Sequence, residues 1–534
     1  MKTIALAMLL ALALEGCGGS SSGGNGGAPG GGATLVVARV KDAVGLDPSH
    51  ETDGLSLNIT GEVFENLVKF KPGTFEIIPS LAKSWTSSNG GKTWTFVLRP
   101  GLKFSDGTPL DAAAVKFNFD RWRSTKDPNH GTFSYGYWVS QFGGFDGKSV
   151  VSDVAAPTSD RVIFTLRTPF GPFLRDVAMP SFAIGSPTAI KADPQGFGLK
   201  PVASGPYMVA EWVKDDHITL VANPNWTGGA LGYQTVIVRD IPDQSTSVLS
   251  MKKGDVDILV DPRPDDAKDL ANEKGVTLYR QPSNNVTYVA LNTEKKPFDN
   301  VFVRRAIAYA IDKAAIAKSF YALGAQVADN WTPPGMLGGN PSVKAYPHDV
   351  AQAKNLLAQA GFANGFSTQL FYPTSPRPYM PEPQRMAEAI QANLREVGIA
   401  ATLQPLEFAV FLTKIRNGEH PMCLIGWTGD NGDPDNFMYP LLDQDSAVKP
   451  QAQNYAFWRD PAYHALMLAG QREVNESKRG AVYAKANAMI RDAAPAVPIA
   501  HSVVSFAAKS SIDGIVPRPD SQISFELMKP ATVK

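Results

Sequence analysis

In the C-terminal half of the chain, short apolar runs alternate with helical patterns, two of which end on glycine, and this alternation restricts the fold more than any other feature. Val286 to Leu291 and Met422 to Trp427 read as strands, the second apolar enough to be covered on both faces. Val303, Ile307, Ala310, Ile311 and Ala314 share one helical face. Ala353, Leu356, Leu357 and Ala360 make a second face, stopped by Gly361; Met386, Ala389, Ile390, Asn393, Leu394 and Val397 make a third, stopped by Gly398. Nearer the N-terminus, Thr93 to Leu98 reads as a strand running into the turn Arg99-Pro100-Gly101. Strands interleaved with helices predict α/β lobes. A length of 534 residues predicts two or three packed units, and 41 Pro with 47 Gly exclude a helical bundle or coiled coil. Composition shifts near Ser204-Gly205-Pro206, Pro282 to Asn285 and Pro495 to Pro498 mark candidate boundaries.

The charge balance narrows the partners. Lys plus Arg and Asp plus Glu both number 51, which excludes a partner held by a broad basic field, such as nucleic acid or an anionic membrane surface. The N-terminus points to the membrane by another route. Met1-Lys2 is followed by the apolar run Ile4 to Leu14, too short to span a bilayer but fitting a secretory leader, and then by Gly16-Cys17. Gly16-Cys17 resembles a lipoprotein processing site, with Glu15 as a departure from its usual small or apolar residue. Residues 1–16 are thus predicted as a leader, Cys17 as the lipidated residue, and 17–33 as a flexible tether, since Gly18 to Ala33 holds nine Gly and three Ser.

Enzyme signatures are mostly missing. Gly143 to Ser149 resembles a phosphate loop but is one residue too short between Gly143 and Gly147, and it is expected to form a turn. The seven histidines include no His-Glu-x-x-His or His-x-x-His pair, so no metal site and no cofactor is expected. Cys423, within Met422-Cys423-Leu424-Ile425, is expected to be a buried apolar residue.

Two segments carry candidate chemistry. Gly426 to Phe437 places an acidic, Gly-rich loop directly after a strand, where open α/β sheets collect ligands. Its spacing fails the calcium-loop pattern; Asp433 and Asp435 are expected to cap the next helix, leaving Asp430 as the ligand candidate. Tyr372 to Pro381 holds four prolines, so it is stiff and presents Arg377 with little ordering cost.

The chain resembles the solute-binding proteins of the peptide/nickel/opine class of ABC importers, and within them the dipeptide binders. The resemblance runs from Thr34 to the C-terminus, through Leu46-Asp47-Pro48, Pro79-Ser80-Leu81-Ala82, Phe96 to Gly101, Ser204 to Tyr207, Val303 to Ile307, Arg377-Pro378-Tyr379 and Gly418-Glu419-His420 leading into Gly426 to Phe437. It implies an α/β, two-lobed, type II periplasmic-binding-protein fold with an inserted lobe and a two-strand hinge. Lobe I would comprise 34–65, 205–285 and 506–534, the insertion 66–204, and lobe II 286–505.

The resemblance also implies a non-enzymatic, lipid-anchored receptor at the extracytoplasmic face, with permease and ATPase as separate chains and a dipeptide or short peptide as ligand. Asp430 would hold the peptide's α-ammonium and Arg377 its α-carboxylate, with Tyr379 in the same contact region. Backbone groups of Gly426, Thr428 and Gly429 would meet the ligand amide. Trp427 would either cover the ligand or join the core, and Tyr135 and Tyr137 would lie near the cleft. The rival readings are an oligopeptide, glutathione, haem or nickel-chelate receptor and, more remotely, a secreted hydrolase. One departure stands out: related dipeptide binders carry a cysteine pair after the acidic loop, and Leu441 to Ser446 has none.

Overall fold

The computed structural model describes residues 32–321 and 323–532. The predicted leader, Cys17 and nearly all of the tether lie outside them. No helix among the described residues is long and apolar enough to cross a membrane.

A twelve-stranded mixed sheet runs in the order Ile399–Leu406, Phe366–Pro373, Met422–Thr428, Asn285–Leu291, Ala496–Lys509, Ile258–Val260, Thr34–Arg39, Thr235–Asp240, His217–Ala222, Tyr207–Val213. Val276–Pro282 and Ala325–Val327 pair with Ala496–Lys509 as well. That 14-residue strand is the shared element, because its first part pairs with Asn285–Leu291 and its later part with Val276–Pro282. Two neighbouring segments therefore cross from one half of the sheet to the other. They are tied together at the crossing: the Ser502 N–H donates to Asn285 Oδ1 at 2.9 Å, Asn285 Nδ2 to Ser502 Oγ at 2.7 Å, and the Ser283 N–H to the Ser502 carbonyl at 2.9 Å.

Separate apolar clusters fill the halves. Val289, Ile307, Leu357, Ile390 and Leu424 belong to one, and Val286, Phe411, Ile425, Phe437 and Ile490 to the cluster on the other side of the same strands. Leu35, Val236, Ile258 and Phe506 centre a third. A four-stranded antiparallel sheet, in the order Ala82–Ser88, Thr93–Leu98, Arg161–Leu166, Val151–Thr158, buries an aromatic core that includes Phe96, Phe119, Trp122, Trp138 and Phe164. The chain leaves for this sheet after Val63 and returns beside its exit at Gly205, whose N–H donates to the Val63 carbonyl at 2.9 Å. A β-carbon at Gly205 would lie 2.5 Å from the Val63 carbonyl carbon, so only glycine allows the approach.

Local signals account for most element ends. Gly361 and Gly398 take φ of 86° and 87° just beyond the helices Val350–Gln359 and Pro383–Glu396. The face predicted from Val303 to Ala314 is instead split. Val301–Ala310 ends before Asp312, whose carboxylate accepts the Ala315 N–H at 2.9 Å and starts the helix Lys313–Phe320. An N-cap aspartate inside an apolar periodicity overrode the periodicity. Cys423 is fully buried, as its surroundings predicted.

The acidic loop is pinned from behind. Asp433 is fully buried and receives a two-pronged contact from Arg479, on the helix Glu476–Ala493, at 2.5 and 2.6 Å. Arg479 Nε also donates to the Gly470 carbonyl at 2.8 Å. Asp435 accepts from the Tyr483 hydroxyl at 3.1 Å and from Gln471 at 3.2 Å. The expected capping role needs correction: Pro434 occupies the N-cap of Asp435–Leu442, and although Asp433 accepts the Asp435 N–H, its carboxylate is chiefly the partner of Arg479. Loss of one partner leaves a buried charge alone, so Arg479→Met is expected to lower stability by about 3–5 kcal/mol in denaturant titrations. Combining it with Asp433→Asn is expected to restore a large part of that loss.

Candidate ligand-binding site

Met422–Thr428 pairs along its length with Asn285–Leu291, but with Phe366–Pro373 only at Met422 and Cys423. Phe366–Pro373 stays with Ile399–Leu406 and then enters the proline-stiffened loop. One edge of the strand beyond Cys423 is thus left without a strand partner among the described residues, and the loop folds back over it. Arg377 and Met380 close a tight turn by exchanging backbone hydrogen bonds of 3.0 and 2.8 Å. The Tyr379 ring then lies against Gly426, where any β-carbon would collide with it. The Tyr379 carbonyl accepts from the hydroxyls of Thr287 and Tyr321, and the Pro378 carbonyl from Ser502 Oγ at 2.9 Å. The Arg377 turn is therefore fastened both to the sheet and to the crossing strands.

Asp430 sits at the tip of the acidic loop. Its Oδ1 accepts from the Tyr137 hydroxyl at 2.8 Å, and its Oδ2 faces Asn436 Nδ2 at 3.4 Å. Asn436 Oδ1 in turn accepts from the Asp430 N–H at 3.2 Å and from Trp427 Nε1 at 3.1 Å, so one amide orients both residues. Burial pushes the Asp430 carboxyl up to about 6, against the opposing pull of these hydrogen bonds, and no cation is close enough to reverse the shift. Burial, followed by the charge of Asp430, raises Tyr137 well above the ordinary phenol range.

Arg377 is the mirror case. The centre of its guanidinium lies 3.5 Å from the Phe408 ring centroid, a cation–π stack, and its Nε is buried without a hydrogen-bond partner. Burial lowers its pKa, with Tyr379 and Glu407 opposing the shift. Among the described residues, Asp430 has no cation and Arg377 no anion at ion-pair distance, so the site presents two unmet charges of opposite sign.

The other predicted residues divide. Tyr137 reaches the site, but Tyr135 does not: it is fully buried in the aromatic core, with its hydroxyl bonded to the His130 carbonyl at 2.8 Å. The left-handed backbone at Tyr135, φ 46°, turns it inward and leaves Tyr137 facing the loop. Thr428 is the last residue of the strand and pairs with Asn285. Gly429 is committed elsewhere: its N–H donates to the Asn284 carbonyl at 2.7 Å and its carbonyl accepts from Asn284 Nδ2 at 2.9 Å, so its N–H is not free for a ligand in this arrangement. Trp427 is half-buried and packs against the core.

Sequence reasoning missed Phe408, Asn436, Asp53 and Asp520. Asp53 caps the helix Gly54–Val63 through Oδ1, while its Oδ2 is buried without a partner. Asp520 pairs with Arg518 at 2.7 Å, and the charges of both aspartates bear on Tyr137. Asn436 lies within the acidic segment Gly426 to Phe437 but carries no signal of its own there, and Phe408, Asp53 and Asp520 belong to no recognisable motif.

The acidic loop also contacts the 66–204 segment through the residues that follow Asp430. Asn431 Nδ2 donates to Asp176 Oδ1 at 2.7 Å, Arg175 lies 4.0 Å from Asp433, and Gly432 abuts Phe75. Two small cavities, about 30 Å³ beside Lys313 and about 70 Å³ beside Glu62 and Arg518, are lined by neither Asp430 nor Arg377.

Comparison with known proteins agrees with this architecture. The family model described as bacterial extracellular solute-binding proteins, family 5 middle, matches residues 76–448, more than half of the chain. The dipeptide-binding protein of Escherichia coli (strain K12) is 34% identical over 509 residues, covering 92% of this chain and 94% of that protein. Heme-binding protein A of Haemophilus influenzae is 32% identical over 502 residues, covering 91% and 90%. The solved structure of the ABC transporter-associated periplasmic binding protein DppA from Helicobacter pylori, in complex with the peptide STSA, matches with a TM-score of 0.80 at 31% identity, covering 94% of this chain and 98% of that one. The fold is the α/β, type II periplasmic-binding-protein fold expected from the sequence. By the extent of these matches, the chain belongs to the family 5 bacterial extracellular solute-binding proteins.

Proposed function

We propose that the protein captures dipeptides or short peptides between two closing lobes and hands them to the permease of an ABC importer, itself catalysing nothing. The observation that carries this reading is the pair of unmet charges, Asp430 and Arg377. A dipeptide is a zwitterion, and enclosing it strands one charge of each sign unless each meets a fixed partner. Asp430 supplies the anion for the α-ammonium, and Arg377 the guanidinium for the α-carboxylate. Two fixed charges also select ligand length while leaving the side chains free. The relatives' names agree, one being a dipeptide-binding protein and another a structure in complex with a peptide.

In this reading lobe I comprises 34–65, 205–285 and 506–534, the insertion 66–204, and lobe II 286–505. The crossing segments at Ser283–Asn285 and Ser502 act as the hinge, and Tyr137 hands Asp430 over to the ligand as the cleft fills. Cys17 carries a lipid anchor, and 17–33 tethers the body to the outer face of the membrane. Heme-binding protein A keeps a haem receptor in view as the second reading. Haem brings propionate carboxylates but no ammonium, so it gives Asp430 no charged N–H donor to meet.

Calorimetry with dipeptides, tripeptides, a free amino acid and haem separates these readings. Dipeptide binding is expected, and Asp430→Ala and Arg377→Ala are each expected to weaken it at least tenfold without unfolding the protein. Normal binding by both variants would sink the assigned site; peptide turnover would sink the receptor reading.

A dependence on pH follows from Asp430. The carboxyl must be ionised to hold an ammonium, and its pKa is about 6, so affinity is full at neutral pH and falls as pH drops through 6. Dipeptide affinity is expected to be about tenfold weaker at pH 5 than at pH 7.5. Asp430→Asn is expected to bind weakly at both pH values and to flatten the profile.

A further inference from the structure

At the end of the helix Asp435–Leu442, three side chains that the ligand site does not use converge. Asp443 caps the helix, Asp445 follows in the short turn Gln444–Ser446, and His464 reaches in from the helix Pro461–Arg472. One donor atom from each lies within 4.8 Å of the others. His464 Nδ1 is 3.0 and 3.1 Å from the two Asp443 oxygens and 4.0 Å from Asp445 Oδ2. Two ligands held about 2.1 Å from one metal ion lie about 3.0–3.4 Å apart at octahedral or tetrahedral angles. The Asp443–His464 spacing already meets that requirement, and the half-exposed Asp445 has to close in from 4.0 Å on His464.

We propose that Asp443, Asp445 and His464 form a binding site for a divalent transition-metal ion. Beyond the spacing, three observations support it. First, Asp443 is fully buried, and His464 is its partner where a Lys or Arg would be expected for a buried carboxylate. Second, Asp445 is braced from outside the trio: the Tyr439 hydroxyl donates to Asp445 Oδ2 at 3.0 Å, as second-layer groups orient metal ligands. Third, the cluster stands at a helix C-terminus, whose partial negative charge favours a cation. Arg459 donates to the Gln444 and Ala447 carbonyls and to Glu294 at 3.2 Å, a carboxylate it shares with Lys449, so its guanidinium is directed at these oxygens. One imidazole nitrogen with two carboxylates suits zinc or a neighbouring first-row ion better than calcium, which prefers a larger all-oxygen shell.

The role is that of a clasp. A bound ion would tie the end of the Asp435–Leu442 helix to Pro461–Arg472, and the start of that same helix carries Asn436, which orients Asp430. The site escapes a motif search because its ligands are split between a turn and a helix 19 residues further along the chain.

The test is calorimetric titration of Zn²⁺ into the chelator-stripped, untagged protein, with thermal unfolding measured in parallel. One saturable site is expected, with a melting temperature that rises with Zn²⁺. His464→Gln and Asp445→Asn are each expected to weaken Zn²⁺ binding at least tenfold, while Asp430→Asn leaves it unchanged. Absence of saturable Zn²⁺ binding to the wild-type protein overturns the proposal. So does binding that survives either substitution, or tighter binding of Ca²⁺ than of Zn²⁺. Should His464→Gln fail to fold, the half-exposed Asp445→Asn decides alone.

Discussion

The buried Asp433–Arg479 pair is the fixture on which the binding loop depends. A loop rich in Gly and Asp has little apolar surface with which to hold a shape, and an acidic sequence repels itself. Arg479 resolves both difficulties, because a planar two-pronged guanidinium fixes the direction of Asp433 as well as its charge. With Asp433 and Asp435 drawn into the helix Glu476–Ala493, Asp430 is left at the outer end of the loop, where Asn436 sets its direction. The same acidic run thus contains one aspartate neutralised for structure and one kept without a cation.

That separation gives the site its electrostatic character. The chain as a whole carries 51 charges of each sign, so no broad field draws a ligand in. In the proposed reading, recognition falls to two local charges whose burial is unfavourable until a partner arrives. Burial raises Asp430 and lowers Arg377, the directions expected of groups that lack their counter-charge. Tyr137 and Phe408 act as stand-ins: a hydroxyl partly satisfies the carboxylate and an aromatic face partly satisfies the guanidinium. Neither substitute matches an ionic partner in strength, and in the proposed reading a zwitterion displaces them.

Much of the fold was legible in the sequence because its signals are local. Glycine with positive φ ended the helices after Gln359 and Glu396, and unbroken apolar runs marked strands buried on both faces. The misread cases share a cause. Asp312 split a helical periodicity because an N-cap acts over three residues, while the periodicity averages over many. Asp433 read as a cap because its ion-pair partner lies 46 residues away, and the resemblance put Tyr135 beside Tyr137 near the cleft because it does not record which of two tyrosines a left-handed turn sends inward.

The sequence alone determined the α/β class, the family resemblance and the two segments that would carry opposite charges, since each rests on residue order and short-range periodicity. Only the tertiary structure decided which polar groups are already spent. Gly429 has its N–H and carbonyl taken by Asn284, Asp433 its carboxylate by Arg479, while Asp430 and Arg377 keep theirs without an opposite charge. A polar group's availability depends on who faces it across space, and chain order does not record that. Phe408 beneath Arg377 and Asn436 beside Asp430 belong to the same class of fact: their chemistry is ordinary, and packing alone gives them a place at the site.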